Sequence, residues 1–270
     1  MTLAAAFLVT GSPLPYLRKD NPAWKELTTG FEIAARALAA AKPDVILLYS
    51  TQWIAVLDEL WQTRPQLSGT HVDENWYEYG DLEYDLKIDT KLAHACIETA
   101  NARGIQSKGV DYDAFPIDTG TIVANGFLNS GANCPLVLAA NNVYHDFEKT
   151  RTIAAMAAET AEAQGKRYAV VGVGGLSGTI FREEIDIAAD RIASAEDDKW
   201  NRRMLDLMAA GEAQQVEDLC GEYAAAAKVD MGFKHLAWVL GGIGGSYNHA
   251  EIHGYGPTYG AGAAVIEFKF

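Results

Sequence analysis

The sequence predicts an α/β protein, a three-layer α/β/α sandwich with a central mixed sheet, a helical segment over 181–240 and a short extended C-terminal tail. Two observations carry most of this. Apolar runs at Leu3 to Val9, Val45 to Tyr49 and Tyr168 to Val173 have the length of buried strands, and each stops at small or turn-forming residues. Patterns with helical spacing separate the runs, and a parallel sheet needs such crossovers to cover its faces.

The elements follow in order. A strand at 3–10 leads into the Pro-rich stretch Ser12-Pro13-Leu14-Pro15. A helix from Pro22 to Ala41 places Trp24, Leu27, Phe31, Ala34, Ala35 and Leu38 on one side, with Pro22 suited to its first turn. Lys42-Pro43-Asp44 stops it before the strand 45–49. Residues 70–89 form an irregular excursion rich in aromatics and acids, with strand character near its end. A helix over 90–102 ends at Gly104, a natural C-cap. Strands at 105–110 and 135–140 flank a turn at Asp118-Thr119-Gly120-Thr121. A helix from Asp146 to Gln164 precedes the strand 168–173. From Phe181 to Leu240 the chain reads as helical, broken at Gly211, Gly221 and Gly232. In the tail, Ala263, Val265 and Glu267 alternate with Ala264, Ile266 and Phe268. No repeat or linker divides the 270 residues, so a single domain over 1–270 is expected.

Composition excludes several classes. A net charge of −14 argues against nucleic acid and anionic membrane surfaces as partners. No apolar run is long enough to span a bilayer and no basic leader precedes a hydrophobic stretch, so a cytoplasmic protein is expected. Cys96, Cys134 and Cys220 are odd in number and widely spaced, which fits buried thiols rather than a disulfide framework or a CxxC metal site.

Chemistry is sparse where an α/β sheet normally displays it, at the carboxyl ends of strands. Those ends are Ser12-Pro13-Leu14-Pro15, Ser50-Thr51-Gln52-Trp53 and Gly174-Gly175-Leu176-Ser177-Gly178, without an imidazole or a carboxylate among them. Gly172 to Gly178 is not a dinucleotide fingerprint, because Ser177 stands where the third glycine belongs. Ser12 and Ser177 lack the G-x-S-x-G elbow of a nucleophile. Among the scattered histidines His71, His94, His145 and His235, His145 follows a strand end and is the best pocket candidate. His249, Glu251 and His253 alternate and would share one face of a strand, where two imidazoles and a carboxylate offer iron-type donors; a polar face or an interface is the simpler reading. The acidic run near Asp73–Asp85 reads as a solvated or partner-facing loop.

The ordered landmarks resemble the class III extradiol ring-cleavage dioxygenases, the protocatechuate 4,5-dioxygenase β-chain type. In that family the first strand ends in Ser-His-x-Pro, where this chain has Ser12-Pro13-Leu14-Pro15. The next ends near His-Trp, where this chain has Gln52-Trp53. A later one ends in Gly-Gly-Leu-Ser-His, where this chain has Gly174-Gly175-Leu176-Ser177-Gly178. His253-Gly254-Tyr255-Gly256 and Gly260-Ala261-Gly262-Ala263 match the closing segment. The resemblance implies two histidines and a glutamate holding Fe(II), and a third histidine as acid/base. Carried over, the metal positions are Pro13, Gln52 and Phe233 or Lys234, and the acid/base position is Gly178, so every one is degenerate.

The pattern is most similar to the aminophenol-cleaving branch, in which an iron-free α subunit pairs with a homologous catalytic β subunit. The resemblance then implies a non-catalytic α subunit in an α2β2 assembly. Fe(II) resides in the β partner, this chain holds no cofactor, and the reaction is 1,6-cleavage of 2-aminophenol by O2. A vestigial pocket would comprise Ser12, Gln52, Trp53, Tyr144, His145 and Ser177. The alternatives are an active dioxygenase whose metal has moved to His249, Glu251 and His253, and a module binding an aromatic ligand in the vacated pocket.

Overall fold

The computed structural model describes residues 2–178 and 184–270. In chain order the elements are β1 (Leu3–Val9), α1 (Leu14–Leu17), α2 (Lys25–Ala41), β2 (Val45–Ala55), β3 (Glu59–Gln62), β4 (Gln66–His71), β5 (Leu82–Lys87), α3 (Thr90–Ala102), β6 (Ser107–Val110), α4 (Thr119–Leu128), β7 (Leu136–Asn142), α5 (Phe147–Ala163), β8 (Tyr168–Val173), α6 (Ala195–Ala209), α7 (Ala213–Ala226), α8 (Lys234–Gly242), β9 (His249–Thr258) and β10 (Ala261–Lys269). Eight strands form one mixed sheet in the order β6-β3-β7-β2-β8-β1-β10-β9, and β4 pairs with β5 in a separate ribbon. The interior strands β7, β2, β8 and β1 run parallel; the C-terminal pair adds antiparallel to β1.

The continuous apolar runs follow from this arrangement. In β1, Ala6 and Leu8 point into one core while Ala5, Phe7 and Val9 point into the other, so neither face tolerates a polar residue. The first core joins the sheet to α3, α5, α6, α7 and α8, and the second joins it to α2, α4 and the β4–β5 ribbon. The predicted three layers are therefore present. Caps are placed by sequence: Asn21 accepts the Ala23 N–H ahead of α2, Asp89 caps α3 and Asp146 caps α5. Lys42, Gly104 and Gly165 turn the chain out of their helices with positive φ.

Several elements differ from the sequence reading. The strand expected to end at Tyr49 runs on to Ala55, and Ser50 to Trp53 belong to it. Pairing with β8 stops at Ser50, and the register with β7 shifts between Tyr49 and Ile54, so the strand projects beyond its neighbours. The turn at Asp118 is instead the N-cap of α4, with Asp118 accepting from Thr121 N. The predicted helical stretch from Phe181 begins outside the described residues. Residues 184–194 are irregular but for a short turn at Ile187–Ala189, and Gly221 lies inside α7 rather than breaking it. The extended tail is a long hairpin, with β10 completing the sheet beside β1.

Candidate functional site

A cavity of about 600 Å³ opens at the carboxyl ends of β1, β2 and β8. Two glycines let its walls meet. A Cβ on Gly11 would lie 2.8 Å from Gly120 Cα, and one on Gly120 would lie 2.6 Å from Ser50 Oγ. The N-terminus of α4 therefore abuts the β1 and β2 ends directly.

Of the residues singled out from sequence, Ser12, Pro13, Gln52, Ser177 and Gly178 line this cavity together. Pro13 and Gly178 offer no ligating side chain. Gln52 is turned onto backbone: its Oε1 accepts Gly120 N–H at 2.8 Å and its Nε2 donates to Gly11 O at 3.4 Å. The side chain thus braces the loop after β1 against α4. Ser177 Oγ accepts from Asn201 Nδ2 at 2.9 Å and from Gly262 N at 3.0 Å, tying α6 and β10 to the cavity floor.

Trp53, Tyr144 and His145 lie elsewhere. Alternation along β2 sends Trp53 into the second core beside Phe115. Tyr144 stands on the surface, and His145 Nδ1 sits 3.1 Å from the buried Glu59 carboxylate. Burial raises the pKa of Glu59 while the His145 hydrogen bond and charge oppose the rise. Phe233 is fully buried against Tyr223 and His235, and Lys234 Nζ donates to Asn142 O at 2.9 Å and His145 O at 3.1 Å. Neither faces the cavity.

The acid near the expected glutamate position is Asp230, which the sequence reading missed. Met231, Gly232 and Phe233 all adopt left-handed φ, and that turn directs residue 230, not 233 or 234, into the cavity. Asp230 Oδ2 accepts Thr51 Oγ1 at 2.5 Å and Gly175 N at 3.4 Å. Desolvation raises its pKa, opposed by those two bonds and by Lys234. The wall opposite holds a relay also missed: His71 Nε2 lies 2.9 Å from Thr119 Oγ1, which donates to Asp73 Oδ2 at 2.6 Å. Asp73 also caps the turn at Asn75 and Trp76, and Asp118 is spent on Ser50 and Thr121. Loop 72–79 is thereby pinned over the cavity.

An iron centre of the two-histidine, one-carboxylate kind needs three convergent donors with open positions beside them. Among the described residues lining the cavity, the one imidazole is His71, engaged by Thr119, and the carboxylates with uncommitted oxygens are Asp230 and the exposed Glu74, so the second imidazole is lacking. That donor set does not fit such a centre. On β9, His249, Glu251 and His253 do share a face, with His249 and His253 each 3.9 Å from Glu251. The compact group there is Glu251, His253 and Glu267. Lys269 Nζ already lies 3.2 Å from Glu251 and 2.6 Å from Glu267, supplying the positive charge a metal would bring. Glu267 pairs with Phe7 of β1, three residues before the cavity-lining Thr10, and does not itself line the cavity.

Comparison with known proteins adds a second line of information. The family model described as the catalytic LigB subunit of aromatic ring-opening dioxygenase matches residues 6–266. The chain is 48% identical over its full length, and the full length of the relative, to the alpha subunit of a Pseudomonas sp 2-aminophenol 1,6-dioxygenase. It is 26% identical to a Pseudomonas sp beta subunit of that enzyme, covering 93% of this chain and 86% of the relative. Among solved structures, an uncharacterized Escherichia coli K12 protein, JW3007, shares the fold with a TM-score of 0.67 at 14% identity, covering 98% of this chain and 99% of that one. No helix among the described residues is long and apolar enough to cross a membrane.

Proposed function

The chain belongs to the LigB family of aromatic ring-opening dioxygenase subunits, and from that premise we propose that it is a non-catalytic α subunit of a ring-cleaving enzyme. It holds no iron. It pairs with a homologous catalytic β subunit in a cytoplasmic α2β2 assembly, and the complex cleaves 2-aminophenol at the 1,6 position, incorporating both atoms of O2. Fe(II), held by the β partner, would supply the chemistry that activates substrate and oxygen. This chain contributes its fold and its surface.

The observation that carries the reading is the state of Gln52. At the position that would hold a second ligand, both the oxygen and the nitrogen of the side-chain amide are directed at backbone, and the first ligand position is a proline. The 48% identity to an alpha subunit and the weaker identity to a beta subunit support the pairing. A second reading is favoured by the cavity itself, whose volume suits a small aromatic. In that reading Asp230 and Ser12 would bind the amino and hydroxyl groups of an aminophenol without turning it over.

The test is direct. The isolated chain, supplied with Fe(II) and 2-aminophenol, should show no ring cleavage, whereas the complex with its β chain should turn over with iron assigned to β by metal analysis of the separated chains. Turnover by the isolated chain at a rate near that of the complex would refute the proposal. Calorimetric titration of 2-aminophenol into the isolated chain tests the second reading, and absence of heat at millimolar ligand removes it.

A further inference from the structure

We infer that the apolar face formed by the carboxyl ends of β2 and β7 is where this chain docks its β-type partner; the inference rests on the pairing proposed above. The face is built from Leu57, Tyr144, Val56, Ile54 and Val143, exposed by 86%, 79%, 52%, 50% and 41%. Exposures this high on large apolar side chains set the segment apart, because they come from the end of one strand and the loops that leave two adjacent strands rather than from scattered points. Ile54 and Ala55 pair with Asn141 and Asn142, and Val143 N donates to Ala55 O at 3.0 Å. The side chains together expose on the order of 600 Å² of largely apolar surface, the upper end for a monomer and most of the ~800 Å² that each partner buries in a standard interface.

The face is also rigid. Asn142 Nδ2 donates to Leu57 O and Asp58 O at 3.5 and 3.2 Å, while its Oδ1 accepts Tyr144 N at 3.0 Å. Lys234 Nζ holds the next turn through Asn142 O and His145 O. One asparagine and one lysine thus lock both exposed loops before any partner arrives, which reduces the ordering cost of association. The rim is charged, with Asp58 paired to an exposed Lys108 at 2.7 Å, as expected of a polar border around an apolar centre.

The occupant is a folded chain of the same family. The patch is too large for a short peptide anchor and lacks the basic cluster an anionic membrane or nucleic acid would need, on a chain of net charge −14. Ile54 also lines the cavity, so a partner seated here reaches the cavity mouth.

The experiment uses the chain co-expressed with the β-type chain of the same source, as wild type and as the Leu57→Asp, Tyr144→Ser double variant. A control variant, Tyr112→Asp, alters an exposed aromatic just after β6, outside both the face and the cavity lining. Circular dichroism and thermal melting of the isolated chains establish folding. The L57D/Y144S variant should bind β about 100-fold more weakly by sedimentation, as expected when central apolar anchors are lost, and the control should bind as wild type. Equal binding by wild type and L57D/Y144S would overturn the docking face while leaving the pairing intact. Failure of the wild type to pair with β at all would instead overturn the proposed function. Self-association of the wild type that L57D/Y144S abolishes, with β binding unaffected, would assign the face to a second copy of this chain and also overturn the inference. A variant that misfolds is replaced by Leu57→Ser alone, read by the same two assays.

Discussion

Replacing Gln52 by alanine separates a structural brace from a metal ligand. The Nε2 contact to Gly11 O, at 3.4 Å, contributes little, so the loss is dominated by the Gly120 N–H that Oε1 accepts at 2.8 Å. Left dry, a buried donor of that kind costs about 1–3 kcal/mol. Gly120 is buried, but Gln52 itself is exposed to the cavity, so water enters when the side chain is cut back. The exchange then costs about 0.5–1.5 kcal/mol, the ordinary net worth of one hydrogen bond. At about 2–4 °C per kcal/mol for a chain near this size, Q52A should melt roughly 1–6 °C below wild type. Scanning calorimetry reads the shift, and metal analysis of protein purified from iron-supplemented medium reads the ligand question. Both proteins should carry far less than stoichiometric iron. Stoichiometric iron in the wild type that disappears in Q52A, with metal-free melting temperatures unchanged, would refute the brace and reinstate Gln52 as a ligand.

Further outcomes follow from the same geometry. Gly172→Ala should destabilise at or beyond the upper end of the roughly 1–3 kcal/mol typical of overpacking, because its Cβ would sit 2.2 Å from the His235 carbonyl oxygen in a helix fixed against the sheet; denaturant melts measure it. Gly221→Ala has nothing within 4 Å and lies inside α7, so the same melts should show a gain of about 0.5–1 kcal/mol. Asp230 has a folded-state pKa raised by burial, so it holds a proton that the unfolded chain has lost, and stability falls as pH rises upward through that window from the ordinary 3.8; Asp230→Asn should remove this fall and raise the melting temperature at neutral pH. His235 is pushed down to about 3 by complete burial, with neither ring nitrogen paired. The unfolded chain takes up its proton first, so acidification from 6.5 toward 3 should cost stability at about 1.4 kcal/mol per pH unit from this group, and His235→Leu should flatten that slope in urea titrations.

Much of the fold was legible because its strands are buried on both faces and must be apolar throughout, which marks Leu3 to Val9 and Tyr168 to Val173 without ambiguity. The long β2 was cut short in the reading because Ser50, Thr51 and Gln52 look like a turn, whereas alternation in the structure buries Thr51 and Trp53 and exposes Gln52 and Ile54. The short strands β3 and β4 carry too few residues for a period to register. In the site, residues fixed by local strand ends were readable, and Ser12, Pro13, Gln52, Ser177 and Gly178 do converge. Asp230 was not readable, since three consecutive left-handed residues decide which side chain faces inward, and two of them are not glycine. His145 was misplaced for a related reason. It follows a strand end, but its imidazole is drawn sideways to Glu59, a buried charge whose need for a partner is invisible in a linear pattern.

The stretch Gly174 to Ser177 carries much of the family resemblance, and its residues, like the neighbouring Gly172, have packing duties independent of any chemistry. Gly172 and Gly174 admit α8, since a Cβ on the latter would lie 2.6 Å from His235 Nδ1. Leu176 is fully buried and its carbonyl accepts from Tyr223 Oη at 2.7 Å, while Ser177 joins α6 to β10. Gly178 is different. A Cβ there would meet Lys228 O at 3.4 Å, close to ordinary contact, and the position otherwise faces the cavity. Side chains that only point into a cavity can be exchanged without disturbing the walls, whereas those that splice the walls cannot. Position 178 is therefore open to exchange, whereas the packing itself requires Gly174, Leu176 and Ser177. Gln52 adds one refinement, because there the cavity-facing position carries a bond between β1's loop and α4. Placing an imidazole at 52 gives up that contact in the wall, so Gln52→His should have a cost in stability that Gly178→His does not.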